Sequence, residues 1–176
     1  MEKTKILALK RKTIVNSITF VLLLGVATIA PLFHFQPVTG PIVNATLFIA
    51  ATLLGVQNAI FIGLLPSTIA LSAGLLPPVV APMVPFIMLG NTILIVAFNY
   101  LRKKNYWLGV ISASVLKFLF LFGASSIVIN LLLKREVATK VAVMMSWPQL
   151  ATALTGGIIA YLFLKVFFDR GIHTKN

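Results

Sequence analysis

The chain has 176 residues, of which 59% are hydrophobic and 10% charged, and its 15 basic residues against three acidic ones give a net charge of +12. A water-soluble domain needs a polar exterior that this composition cannot provide, so the natural solvent is a bilayer. With no Cys, two His (His34, His173) and acids only at Glu2, Glu136 and Asp169, there are no clustered metal ligands, no internal carboxylate pair and no acid to orient a catalytic His.

A membrane-crossing helix needs about 20 apolar residues, within a range of about 17–25. The first span is expected at 14–33, behind Lys3, Lys5, Lys10, Arg11 and Lys12. A basic start and apolar middle also fit a leader peptide. The length of the apolar stretch, and Pro31 directly after the small residue Ala30, favour a retained helix. The next apolar block, 42–76, is too long for one span. Gly55-Val56-Gln57-Asn58 divides it into 42–55 and 58–76, both short, with a re-entrant hairpin as the alternative. Pro77, Pro78, Pro82 and Pro85 form a proline-rich connection to a fourth span at 83–101, which Arg102-Lys103-Lys104 closes. The fifth span is 107–133, and Lys134, Arg135, Glu136 and Lys140 lead to the sixth at 141–168.

The fold class expected is therefore all-α: one polytopic domain of six transmembrane helices. Sorted by side, the N-terminal bases, Arg102–Lys104, Lys165, Arg170 and Lys175 outweigh Lys134, Arg135 and Lys140, which puts both termini in the cytoplasm. The same distribution argues against nucleic acid as a partner, since the bases flank apolar spans instead of forming one basic face. Membrane lipid is the expected surrounding.

Polar groups inside spans are costly and tend to mark function. Lys117 lies ten residues into the fifth span, near mid-bilayer at about 1.5 Å per residue. Its alternative is a lysine that snorkels to the inner interface. By depth, Asn44, Asn91, Asn130, Trp147 and Gln149 gather with it in the outer half, as a cavity open to the outside would require; interhelical hydrogen bonding is the plainer alternative. Pro148, between Trp147 and Gln149, is expected to free a backbone carbonyl and redirect those two side chains. Small residues at four-residue spacing (Ala59, Gly63 and Ser67; Gly109 and Ala113; Ala153 and Gly157) favour close helix packing.

The size, the six expected helices, the segment Gln36-Pro37-Val38-Thr39-Gly40-Pro41-Ile42-Val43-Asn44, and the stretch from Leu75-Leu76-Pro77-Pro78 through Pro82-Met83-Val84-Pro85 to Gly90-Asn91 together resemble the substrate-binding S component of energy-coupling factor (ECF) transporters. The resemblance implies a subunit of the bacterial cell membrane that captures a vitamin-like small molecule from outside. Delivery would go through a transmembrane T component and two cytoplasmic ATPases. It implies a pocket of Asn44, Asn91, Lys117, Asn130, Trp147 and Gln149, and a loop lid containing His34, Gln36 and Thr39, with the Pro77–Pro85 connection. The first span lacks the Ala-x-x-x-Ala pattern that many S components use to dock, and no His near the start suggests a nickel or cobalt cargo. No catalytic residue, metal or cofactor is expected. Two alternatives come from other classes: a stand-alone carrier or channel, against which the lack of intramembrane acids counts, and a non-transport membrane assembly protein.

Overall fold

The computed structural model describes residues 2–33, 35–74, 78–132 and 141–172. His34, Pro77 and residues 133–140 lie outside them. The described elements are helices, with no strand among the described residues: α1 (Glu2–Ile29), a 3-10 turn (Ala30–Phe33), α2 (Gln36–Leu53), α3 (Val56–Ser72), a second 3-10 turn (Pro78–Met83), α4 (Val84–Leu101), α5 (Tyr106–Leu132) and α6 (Trp147–Ile172). Four helical stretches are long and apolar enough to cross a membrane: Leu9–Phe33, Ala81–Leu101, Tyr106–Ile129 and Val141–Phe167. Val56–Ser72 is shorter. Large apolar side chains cover the outside of the bundle, among them Val21 and Leu22 on α1, Ile111 and Leu119 on α5, and Leu162 and Phe167 on α6. A surface of that kind is compatible with a membrane protein.

The central helix is α2. It is buried without a break from Asn44 to Ala51, so it has no outward face, and it packs against α6, α3, α1 and α4. Its composition explains its place: a helix lined by neighbours on all sides needs small side chains, and Ala45, Thr46, Ala50 and Ala51 provide them. The α2–α6 contact is the tightest. A methyl group added at Gly156 would lie 2.7 Å from Asn44 Cβ and 2.8 Å from the Ala45 amide nitrogen; at Gly40 it would lie 2.7 Å from Thr152 Cβ.

On α5 the buried residues Val110, Ala113, Ser114, Lys117, Leu121, Ala124, Ser125 and Val128 recur every three or four positions, which makes one inward stripe. Among the described side chains of α1, the narrow stripe of Phe20, Leu23, Leu24 and Ala27 meets the core.

The apolar interior comes in two parts. The larger is built from Leu47, Phe48, Ile62, Leu94, Ile95, Phe98, Val110 and their neighbours. The smaller joins Met83, Leu121, Ala124, Val128, Val141 and Met145. Along α4, Asn91 falls between Ile87 of the smaller part and Leu94 of the larger; along α5, Lys117 falls between Leu121 and Ala113. A polar layer thus separates two apolar clusters.

Two expectations about the connections change. The segment from Gln36 to Pro41, expected as a loop lid, is the first turn and a half of α2. Proline is tolerated in a first helical turn because the N–H it lacks has no partner there anyway, and Pro37 takes that position. Gln36 and Thr39 are accordingly helical residues and not loop residues. The Thr39 hydroxyl donates to the Ala30 carbonyl just past the end of α1 (3.1 Å). The expected sixth span is interrupted as well: a helical turn at 141–144 is followed by a bend, and α6 proper begins at Trp147.

Between α2 and α3 the chain reverses at Leu54 and Gly55. Gly55 caps the start of α3 at φ 82°, a conformation that side chains resist. A methyl group there would meet nothing within 4 Å. The Gly55→Ala variant is therefore expected to lose stability through backbone strain alone, by about 1–2 kcal/mol. Detergent-denaturation midpoints of the purified variant and wild type check this.

Candidate functional site

The polar layer centres on Lys117. Three helices bring three side chains to one point, each 2–3% exposed: Asn44 from α2, Asn91 from α4 and Lys117 from α5. Lys117 Nζ donates to Asn44 Oδ1 at 2.7 Å and to Asn91 Oδ1 at 2.8 Å. The amide nitrogens are engaged elsewhere. Asn44 Nδ2 donates to the Gly40 carbonyl within α2, and Asn91 Nδ2 crosses to the Gly63 carbonyl of α3, both at 2.9 Å. This fixes the sense of both amides, with their acceptors turned to the lysine and their donors turned away.

Glycines make these approaches possible. A methyl group at Gly63 would come within 3.3 Å of Asn91 Cβ, and Gly156 lies directly behind Asn44. Gly90 lets Leu121 of α5 approach α4 one turn from the Lys117–Asn91 contact. Among the described residues no carboxylate comes within ion-pair distance of Lys117; its partners are the two amides. An isolated buried charge is strongly disfavoured, and hydrogen bonds to two carbonyl oxygens offset part of that cost.

Ser114, one turn before Lys117 on the same stripe, is fully buried, and its hydroxyl has no hydrogen-bond partner among the described residues. Sequence reasoning missed it. The available signal was its place at i−3 from Lys117, which puts both on one face.

The other expected pocket residues do not join the triad. Trp147, first residue of α6, is 70% exposed. Gln149 donates through Nε2 to the Met144 carbonyl at 3.1 Å, and Gln36 of α2 donates to the same carbonyl at 3.0 Å. Pro148 is the physical reason: it has no N–H to return to the carbonyl four residues earlier, which is that of Met144. Two glutamines take up the freed acceptor and so fasten the start of α6 to the start of α2. Asn130 lies in the last turns of α5, with its side chain outside the described residues, and His34 is outside them altogether. Replacing either Gln36 or Gln149 by Leu is expected to cost less than about 1 kcal/mol, because the other still serves Met144. The double variant orphans the carbonyl and is expected to cost about 1–3 kcal/mol. A double-mutant cycle on unfolding measures the excess.

At the opposite end of the bundle, Arg102 Nη2 reaches Asn99 Oδ1 (3.1 Å) and the Ala51 carbonyl near the C-terminus of α2 (3.4 Å). Its guanidinium also lies 5.7 Å from the centre of the Phe98 ring. Partial burial lowers the Arg102 pKa from its ordinary value. The Tyr106 hydroxyl donates to the Gly157 carbonyl of α6 (2.8 Å), and its ring adjoins Phe98, Trp107 and Tyr161. These contacts fix the helix ends and hold no reactive group.

Among the described residues there is no group of His, Cys, Asp or Glu able to hold a metal ion. The site's groups are one buried amine and two amide dipoles in an apolar bundle. Compared with protein-family models, with curated proteins and with solved structures, the chain matches none.

Proposed function

We propose that the chain is the substrate-binding subunit of an ATP-driven importer of the energy-coupling factor type, embedded in a bacterial cell membrane with six spans and both termini in the cytoplasm. In this reading it captures a small organic, vitamin-like nutrient from outside and has no catalytic activity of its own. A T component and two cytoplasmic ATPases supply the energy. The observation that carries the reading is the Lys117 triad: three helices converge on one buried lysine amine with two amides and no described carboxylate partner. A protein that needed only to pack its helices would do so at lower cost with apolar side chains. The basic flanks support the orientation. The reading takes α2 and α3 as a pair of short spans, whose 18 and 17 residues fall near the lower limit for crossing.

A second reading rests on a specific observation. Both Asn amides are committed on their oxygen and their nitrogen sides, as in a closed structural lock. That would suit a non-transport assembly protein.

The deciding experiment is affinity purification of the tagged chain from its native membranes in mild detergent, with mass spectrometry of what accompanies it. Recovery of an integral T component with two ATPases is the expected result. A chain that emerges alone from cells making those subunits overturns the importer reading and leaves the lock.

A further inference from the structure

The chain has 15 bases and three acids, so most of its cations find no carboxylate within the chain and take their counter-charge from outside it. At the Arg102 end of the bundle two of them are held in a fixed setting. Backbone hydrogen bonds close the turn between α4 and α5, from Arg102 to the Phe98 carbonyl (2.8 Å) and from Lys104 to that of Leu101 (3.0 Å). The Asn105 side chain accepts from the Trp107 and Leu108 amides at the start of α5 (2.8 and 3.1 Å), which caps that helix. Arg102 folds inward onto Asn99 and the Ala51 carbonyl. Lys103 and Lys104 are left exposed beside it.

Three aromatic rings in mutual contact follow the turn. Tyr106 and Trp107 of α5 and Tyr161 of α6 have ring centres 5.1 to 5.4 Å apart. The Tyr106 hydroxyl is committed to the Gly157 carbonyl, whereas Trp107 is 39% exposed. One turn beyond Tyr161 on the same side of α6 stands the exposed Lys165. Asp169 is a further turn along, with its side chain outside the described residues. In the other direction, toward the middle of the bundle, Ile111 lies one turn after Trp107 and Ile158 one turn before Tyr161, and both are about half exposed. From this end inward the order is therefore cations, aromatic rings and exposed apolar side chains.

We propose that this face binds an anionic phospholipid, with the headgroup at Lys103 and Lys104, the glycerol region against Trp107 and Tyr161, and the acyl chains along Ile111 and Ile158. This rests on the reading of the chain as a membrane protein and is independent of the importer. The order of chemistry along the bundle is the order along such a lipid: charge, an interfacial zone that suits amphipathic rings, and hydrocarbon. The sign follows from the lysines. A zwitterionic lipid carries a cation of its own to this pair, whereas phosphatidylglycerol carries the phosphate charge without one. A free phosphate would meet the lysines and leave the rings and the apolar side chains unused. Lys165 adds charge of the same sign from the α6 side.

Trp107 is the reporter for the test. The chain has two tryptophans, so Trp147→Phe leaves Trp107 alone. That full-length variant is placed in phosphatidylcholine vesicles containing a small fraction of brominated phosphatidylglycerol or of brominated phosphatidylcholine, whose bromines quench an indole beside the acyl chains. Phosphatidylglycerol is expected to associate with Trp107 at least about 5-fold more strongly, at about 5-fold per lysine near the headgroup. Lys103→Gln with Lys104→Gln, both at exposed positions, is expected to bring the two lipids within about 2-fold of each other. Lys10→Gln, Arg11→Gln and Lys12→Gln together, at the basic start of α1, are expected to leave the preference in place. Equal quenching by the two lipids overturns the proposal. So does a preference that falls as far in the α1 variant as in the turn variant, since it then reflects overall charge and not this face. Quenching relieved by excess inorganic phosphate assigns the lysines to a free anion and overturns it too. A chain that inserts into neither kind of vesicle overturns the membrane reading itself, and the copurifying subunits judge the importer separately.

Discussion

Lys117→Met is expected to lower the unfolding free energy by about 2–4 kcal/mol. The methionine fills nearly the same volume, so little of the loss comes from a cavity; it comes from Asn44 Oδ1 and Asn91 Oδ1, which lose their donor inside an apolar bundle at about 1–3 kcal/mol each, offset in part because the buried amine's desolvation cost goes with it. The more informative variant replaces the whole layer, with Asn44→Leu, Asn91→Leu and Lys117→Met together. Apolar groups of similar shape remove the orphaned acceptors along with the donor, so the triple variant should return to within about 1 kcal/mol of wild type. The Gly40 and Gly63 carbonyls, which lose their side-chain donors, still have helix N–H partners. Steric-trap or detergent titration of the single and triple variants gives the comparison, and strong non-additivity is the expected signature. A triple variant that remains stable and no longer binds ligand would show the layer to be kept for binding. If it stays deeply destabilised, the triad is part of what builds the fold.

The second large effect is expected at Gly156. In Gly156→Ala the new methyl faces the Ala45 amide nitrogen at 2.8 Å and the Pro41 carbonyl oxygen at 2.9 Å, and backbone cannot rotate away. The α2–α6 pair must separate, at a cost of about 1–3 kcal/mol. Asn44, 2.7 Å away at its Cβ, would be displaced from Lys117 in the same movement. Its neighbour meets a different obstacle. A methyl at Gly157 meets the Val110 side chain, which is buried and stiff at χ1, so Gly157→Ala should also be destabilising. Gly123→Ala meets nothing and should gain up to about 1 kcal/mol from better helix propensity. The order of melting temperatures across the three variants tests the packing; if Gly156→Ala is as stable as Gly123→Ala, the close approach of α2 and α6 is wrong.

Much of the bundle was legible because membrane helices announce themselves by apolar length and by the charges that flank them. The four long apolar helices emerge in this way. Gly55 marked a break because polar residues inside a long apolar block are costly unless the chain turns there. The N-terminal turn of α2 was hidden by its prolines. Pro37 and Pro41 read as a loop, yet Pro37 sits in the first turn, where its missing N–H has no partner to lose, and the helix carries Pro41 in its interior. Within the site, Asn44, Asn91 and Lys117 were assembled by depth alone, and depth was enough because the three helices run unbroken through that level. Depth failed for Trp147 and Gln149. The bend that Pro148 permits leaves Trp147 exposed and Gln149 at the Met144 carbonyl. For Ser114 the i−3 spacing gave its face, but its missing hydrogen bond is visible only in the structure.

The division of the interior by the polar layer bears on how the molecule breathes. Buried apolar contact sets the free energy of local opening, and the two clusters are unequal. The smaller one, with Met83, Leu121, Ala124, Val128, Val141 and Met145, is fastened by the bonds of Gln36 and Gln149 to the Met144 carbonyl and otherwise by apolar packing. The larger is held in addition by Arg102 on the Ala51 carbonyl and Tyr106 on that of Gly157. Native-state fluctuations should therefore be graded along the bundle: frequent at the Met83 end, rare at the Arg102 end. Lys117 stands at the level where the gradient changes, so opening of the looser end would expose the buried amine without the tighter end having to melt.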